Sequence, residues 1–455
     1  MIKRILIGIL IILAALIAFI IAALLYLGWP DKAQIAFNDA TGQNPRITAP
    51  REQAIPTINV AEAIGWQDGA MPQPADGLQV MTFAAGLEHP RWLYRLPNGD
   101  ILVAESNSPA RGGGGFGEWV AQKVLGKAGA LVPSPNRITL LRDADGDGKA
   151  ESRSTFLSGI NSPFGMTLVG KDLYIANSDA LVRYPYEHGQ TRIDAKPETI
   201  ITYPSPGHWA RNVIASPDGK KLYVSVGSAS NIAEGGIESE KGRALILEVD
   251  PATKTSRVFG AGLRNPNGMA FEPRSGKLWT VVNERDQLGS DLSFDYLTSV
   301  SAGDHFGWPW YYWGQHEDTR VKPANPALKS RVRTPDYSLG PHTAPLGLSF
   351  AADTKLGPAF ANGAFIGLHG SWNRKPLSGY KVVYVPFGAD GRPAAGAKMV
   401  DVLTGFLSDE EKAQGRPVGV ITDRNGALLV ADDVGNTIWR VSAKAQPAAA
   451  PAPAR

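Results

Sequence analysis

Cysteine is absent from all 455 residues, which removes disulfides, thiolate metal sites, iron–sulfur clusters, cysteine nucleophiles and thioether-attached haem. Charge is sparse and nearly balanced, 46 Lys and Arg against 43 Asp and Glu, and no basic stripe gathers it, which argues against a nucleic-acid partner. Beyond the N-terminus no long amphipathic pattern marks a helix, and the only sustained apolar run is the first one. What the chain does have is glycine and proline, 50 and 34 residues, together more than a sixth of it. With 43% apolar residues, that composition suits many short strands joined by turns and not a disordered or coiled-coil chain.

The apolar run extends from Ile5 to about Leu27, behind Lys3 and Arg4 and ahead of Tyr26 and Trp29. As a helix rising ~1.5 Å per residue it spans a hydrocarbon layer of ~30 Å, with the basic pair on the cytoplasmic side and everything after Pro30 exported. A cleaved signal peptide is the alternative; the length of the run and the lack of a small-x-small site favour an uncleaved anchor. Residues 1–30 are therefore expected to be a transmembrane anchor, 31–78 a polar, proline-broken stalk or strap, and 444–455 a Pro/Ala-rich tail.

Between them, residues 79–443 repeat one pattern: a glycine turn followed by a short apolar run. It occurs at Asn98-Gly99, Gly170, Asp218-Gly219, Ser275-Gly276, Asn362-Gly363 and Asn425-Gly426, six copies in all. Such turns supply the positive φ of tight hairpins, and the copies are spaced for four-stranded units. Six repeats predict an all-β, six-bladed β-propeller; a sandwich is the competing fold, but ring closure lets every repeat bury both faces. Two inserts, Gly112 to Leu131 and Trp308 to Pro335, break the rhythm and are expected to roof the central cavity.

Chemistry-bearing residues sit in the loops that precede strands. His208, in Gly-His-Trp-Ala-Arg-Asn, is either a general base or a surface histidine. Arg264 and Asn265 occupy Gly-Leu-Arg-Asn-Pro-Asn-Gly; His342, His369, Arg374 and Arg416 lie in comparable loops. Meeting on one axis, the arginines would form a cup for a ligand with several carboxylates; otherwise each pairs with an aspartate of its own blade. Two acidic segments are candidate cation sites: Asn283-Glu284-Arg285-Asp286-Gln287-Leu288-Gly289-Ser290-Asp291, whose turns could present carbonyl oxygens to Ca²⁺, and Asp143-Ala144-Asp145-Gly146-Asp147-Gly148. The latter has calcium-loop spacing but carries Ser154 at the twelfth position, so it is equally an acidic turn.

In their order, Gly-His-Trp-Ala-Arg-Asn, Gly-Leu-Arg-Asn-Pro-Asn-Gly-Met-Ala-Phe, Asn-Glu-Arg-Asp, Phe306-Gly307-Trp308-Pro309 and His-Gly-Ser-Trp-Asn-Arg resemble the glucose/sorbosone dehydrogenase family. The likeness runs from about Val80 to Val441 and is strongest to the membrane-bound sorbosone and pyranose dehydrogenase-like quinoproteins. The resemblance implies a propeller that holds pyrroloquinoline quinone (PQQ) and Ca²⁺ at the channel mouth and oxidises a sugar at C1. His208 then corresponds to the proton-accepting histidine, and Arg264 and Asn265 to the pair beside the quinone oxygens. Arg285 and Asp286 correspond to the main-chain carbonyl donors to Ca²⁺, Arg416 to a carboxylate-binding arginine, and Asn161 to a position of glutamine in soluble relatives. His342, His369 and Arg374 complete the implied cofactor set.

Two departures leave glucose itself open as substrate. His208 stands one residue closer to Arg211 than in the glucose-oxidising pattern, and the His369–Arg374 segment replaces the cofactor lysine. The implied enzyme is a single-pass inner-membrane protein with its propeller in the periplasm, passing electrons to a membrane quinone or a periplasmic cytochrome. A calcium-dependent lactonase-type hydrolase and a non-catalytic binding module are the rival readings.

Overall fold

The computed structural model describes residues 2–27, 31–53, 56–109 and 125–444. Trp29, the Gly112–Gly115 run and its following residues to 124, and the Pro/Ala tail from 445 lie outside them. Within the described residues the chain is all-β apart from one long helix, Ile2–Leu27, helical residues 125–127 in the blade 1 insert, and a few single 3-10 turns.

Six sheets with four antiparallel strands each, read from the axis outward, make a six-bladed propeller; the strands are consecutive in blades 1, 2, 3 and 5, while blade 4 takes Tyr337–Pro341 and blade 6 takes Leu78–Ala84 as the outermost strand. Blade 1 opens with Pro90–Arg95, blade 2 with Met166–Val169, blade 3 with Val213–Ala215, blade 4 with Asn265–Phe271, blade 5 with Pro345–Phe350 and blade 6 with Pro417–Thr422. These first strands pack against one another around the axis. Burial falls outward from there: the second strands, such as Leu222–Val226 and Leu428–Asp432, are wholly buried, whereas the outermost Ser152–Ser158 and Thr255–Ala261 are largely exposed.

All six glycine turns read from the sequence join the first strand of a blade to its second. Five of these glycines adopt the expected positive φ, between 60° and 94°. Gly363 does not; it begins a strand, where an added Cβ would sit 2.3 Å from the Val385 carbonyl, so close approach requires it instead. Because these turns gather on one face, the loops between blades, and those between second and third strands, gather on the other. That second face carries the loops of His208, Arg264, Asp286, His342, His369, Arg374 and Arg416, whereas the Asp143–Gly148 loop joins the third and fourth strands of blade 1 and lies on the turn face, beside Arg424.

Closure comes from the far side of the sequence. Leu78–Ala84 pairs antiparallel with Thr437–Ala443 and supplies the outermost strand of blade 6. Gln73–Pro74 extends the edge of blade 5, and Asp304–His305, just before the Trp308–Pro335 insert, runs parallel to the edge of blade 3. Covered edges cannot recruit other chains. Neighbouring first strands approach so closely that a Cβ on Gly347 would lie 2.2 Å from the Val418 carbonyl, and one on Gly419 2.8 Å from that of Arg91.

Residues 31–53 and 56–77 are a strap that meets the loop face at several points and runs along the outer edge of blade 4, where Gly42 pairs with Ser338. Asp31 accepts from the backbone of Ser290 and from Arg51, which also bridges to Asp291. The backbone then bonds to Leu288 through Arg51, Gln287 through Gln53, Trp372 through Asn59 and Ala413 through Ile64.

Candidate functional site

At the centre of the loop face lies a cup of about 450 Å³. Its wall includes Arg91, His208, Trp209, Arg264, Asn265, Asp286, Asp295, His342, Trp372 and Asn373, drawn from blades 1, 3, 4 and 5. A larger cavity of about 810 Å³ lies beside it under Trp66 and His89, but fewer ionisable groups meet there.

His208 stands on the loop into blade 3, and its Nδ1 lies 2.9 Å from the carbonyl oxygen and 3.0 Å from the hydroxyl of Ser228. A carbonyl only accepts, so Nδ1 carries the proton and Nε2 the lone pair. Arg211, fully buried beneath it, donates to the carbonyls of His208 and Pro204 and stacks on Tyr203; burial lowers its pKa to about 10. Trp209 is fixed between Phe164, edge-on at 5.9 Å, and the Arg91 guanidinium 5.5 Å above its ring.

Arg264 reaches the carbonyl and side-chain oxygens of Asn231 at 3.2 and 3.1 Å and the Asp286 carboxylate at 3.4 Å. It thus pairs with an aspartate of its own blade while lining the cup. Asp286 also accepts from Asn373 at 2.7 Å and lies 3.8 Å from His342 Nδ1. His342 turns its other nitrogen to the carbonyls of Leu292 and Gly289, 2.8 and 3.1 Å away; burial holds its pKa below the usual value. Asp295 accepts from the backbone of Glu284 and Ala344, yet burial raises its pKa to about 7.

The remaining expected residues fall in three places. His369 donates to Asp433 at 2.8 Å, and Arg91 and His89 share that carboxylate, an adjoining cluster that touches the cup through Arg91. Burial works to raise Asp433, but His369, Arg91 and His89 together overcome it and hold it far below the carboxylate range. Arg416 neighbours this cluster, stacked 5.0 Å from the Tyr380 ring and donating to its hydroxyl at 3.1 Å. Arg374 lies outside the cup: its guanidinium is taken by the carbonyls of Ser290 and Pro376 and by the face of Phe37 in the strap. The Arg285 side chain is likewise turned away, fully buried against Glu284, Asp318 and the Pro309 and Tyr311 carbonyls. Asn161 is exposed on the same face and is not part of the cup wall.

Sequence reasoning missed Arg91, Ser228, Asn231 and Asp433. Arg91 is the second residue of the first strand of blade 1; in strand register Pro90 matches Pro417, so His89 holds the place of Arg416 and the repeat does not single out Arg91. Ser228 and Asn231 sit in an unremarkable polar loop and carry no mark either.

The fit of an anionic quinone can be tested on donors left over. Among the described residues, Nε of Arg91 and of Arg416 are buried without an acceptor, and the side-chain oxygens of Asn265, Asn267 and Asn283 are buried without a donor. Unsatisfied buried guanidinium N–H groups call for carboxylate or quinone oxygens. For a calcium ion, the Asp286 carbonyl is already met by Arg320 at 3.3 Å, while the Asp286 carboxylate and the Asn283 amide oxygen offer the hard oxygen ligands it prefers. Elsewhere Asp143, Asp145, Asp147 and Glu151 bring carboxylate oxygens within 4.8 Å of one another on the outer surface.

Residues 136–299 and 314–444, well over half of the chain, match the profile of the TrAA12-like family. The chain belongs to that family. Among curated proteins, an uncharacterized protein of Borreliella burgdorferi is 30% identical over 302 residues, covering 63% of this chain and 77% of its own length. The pyrroloquinoline quinone-dependent pyranose dehydrogenase of Coprinopsis cinerea is 25% identical over 447 residues, 84% of this chain; the chain spans 56% of that larger protein. Among solved structures, the "Calcium structure of Trichoderma reesei Carbohydrate-Active Enzymes Family AA12" superposes with a TM-score of 0.67 at 20% identity, covering 82% of this chain and 97% of that one. The holo form of the Coprinopsis cinerea pyranose dehydrogenase PQQ domain gives 0.66 at 22% identity, covering 84% and 100%. These two establish the shared fold.

Proposed function

We propose that this TrAA12-like chain is a quinoprotein oxidoreductase that oxidises an aldose or sorbosone-like sugar with PQQ and Ca²⁺. The observation that carries the reading is the meeting of Arg91, Arg264, His208, His342 and Asn265 in one axial cup. When bound, PQQ supplies an electrophilic carbonyl carbon that accepts a hydride. Arg91, Arg264 and Arg416 would hold it through its acidic oxygens, with His342, His369 and Asn265 as further hydrogen-bonding partners; Asp286 and Asn283 would supply oxygens to the cation.

The chain's own work is proton handling and positioning. His208 Nε2 takes the proton of the anomeric hydroxyl as the C1 hydride leaves, so two electrons and two protons depart from the sugar in all. Such base assistance is worth about 10²–10⁴-fold. Ser228 holds the imidazole in the tautomer that makes this possible, and the Trp209 and Trp372 rings give the sugar an apolar wall. The N-terminal helix, as an uncleaved inner-membrane anchor, would leave the propeller in the periplasm and the electrons within reach of a membrane quinone or a periplasmic cytochrome.

A carboxylate and asparagine floor is also what a calcium-dependent hydrolase would use. The cup guanidiniums and the family favour redox chemistry. Purified protein reconstituted with PQQ and Ca²⁺ should reduce an artificial dye when given sugars, and His208→Asn should remove that activity while leaving PQQ bound. Lack of turnover with every aldose, sorbosone and simple aldehyde overturns the assignment.

A further inference from the structure

The strap does more than cover the loop face: it fixes where the apolar helix leaves the propeller. Asp31 is clamped to the loop between the second and third strands of blade 4, with its carboxylate accepting from Ser290 N at 2.6 Å and its carbonyl from Ser290 Oγ at 2.9 Å. Arg51 locks the same point, with contacts of 2.8 Å to Asp31 and 2.9 Å to Asp291. This loop is also the cup wall. His342 Nε2 lies 3.1 Å from the Gly289 carbonyl, and a Cβ on Gly289 would stand 3.1 Å from the Asp31 carboxylate.

From Asp31 back to Leu27, the end of the helix, there are four Cα–Cα steps, which at about 3.8 Å each reach about 15 Å at most, whatever their course. An apolar helix embedded in a bilayer would therefore hold the rim of the cup close to the membrane surface and the glycine turns away from it.

A second observation agrees. Among the described residues outside the helix, seven large apolar side chains are exposed, and four of them, Ile58, Leu125, Leu131 and Val132, lie on the loop face. Leu125 lines the cup itself, Leu131 and Val132 belong to the same blade 1 loop, and Ile58 adjoins Asn59, which bonds to Trp372 of the cup. Exposed acids, Asp409, Glu410 and Glu411, and exposed bases, Lys32, Lys127 and Lys375, share this face, so it carries no field of one sign to draw it to anionic lipid. Contact would be apolar.

We infer that the propeller sits with its cup mouth against the lipid bilayer, oriented by the Asp31–Arg51–Asp291 clasp, so that a membrane-dissolved quinone and not a soluble cytochrome is the acceptor nearest the site. This rests on the reading of the helix as a retained anchor.

Because the chain has no cysteine, single-cysteine variants can be labelled at one point only. The full chain is reconstituted in phosphatidylcholine vesicles doped with a headgroup nitroxide lipid, and a fluorophore is placed at Ile58→Cys or Leu131→Cys on the mouth face, or at Lys220→Cys on the turn face. Quenching at the mouth positions should exceed that at Lys220→Cys at least threefold. Adding Arg51→Ala should reduce this contrast by half or more. Equal or reversed quenching overturns the orientation, as does recovery of the chain in the soluble fraction, and an unchanged contrast in Arg51→Ala overturns the clasp as its cause. Since the readout needs no turnover, a chain that sits mouth-down yet reduces no dye would keep this inference and lose the dehydrogenase reading.

Discussion

Two side chains in the cup, His208 and Asp295, owe their chemistry to their surroundings, the first to a backbone carbonyl and the second to burial. The Ser228 carbonyl sets the His208 tautomer, so Ser228→Ala, which removes only the hydroxyl, should lower kcat several-fold and no more, whereas His208→Asn removes the base. Steady-state kinetics with a dye acceptor separates the two. Asp295 is a buried carboxyl with its pKa raised to about 7. Between about pH 4 and pH 7 the folded chain keeps this proton while the unfolded chain has lost it, so stability falls as pH rises through that window. The slope for one such group is about 1.4 kcal/mol per pH unit at most, and the loss is complete and constant above pH 7. His89, lowered to about 4 by burial, opposes it by adding stability from pH 4 to 6.5. The clean readout is therefore the difference between wild type and Asp295→Asn in denaturant unfolding from pH 4 to 8. It should narrow below pH 5 and grow in the variant's favour toward pH 7; parallel curves would show that Asp295 keeps an ordinary pKa.

At the scale of the element, strands and turns were more legible than side-chain directions. Each glycine turn marks one hairpin, so six turns expose both the count and the register of the blades. Loop position then predicts which face a residue occupies, which is why His208, Arg264, His342, His369 and Arg416 share one. It does not predict where a guanidinium points. Arg374 and Arg285 lie in the right loops, but backbone carbonyls and, for Arg374, the ring of Phe37 lie nearer than the cup, and the contacts to Ser290, Tyr311 and Phe37 bring together residues more than 20 positions apart. The inner strands carry a different constraint, written as glycine. At Gly347 the Val418 carbonyl leaves no room for a methyl group, so Gly347→Ala should cost about 1–3 kcal/mol and lower Tm by several degrees, measured by thermal unfolding. An unchanged Tm would mean that blades 5 and 6 can part without cost.

For the whole molecule, the resemblance in ordered motifs conveyed the fold and the class of chemistry, because those motifs are the loop-face segments themselves. The path of the strap was hidden: residues 31–78 have no periodicity, and only the folded ring shows that Asp31 and Arg51 meet blade 4. The pairing of Leu78–Ala84 with Thr437–Ala443 was equally out of sight, since nothing local joins two segments more than 350 residues apart. That seam sets the order of assembly. A ribosome makes one half of the zip early and the other almost last, so an incomplete polypeptide is an open fan with two raw margins, vulnerable to sticking to its neighbours until Thr437–Ala443 arrives. A chain stopped after Asn436 should accordingly accumulate as aggregate, where the full-length chain runs as a discrete species on gel filtration.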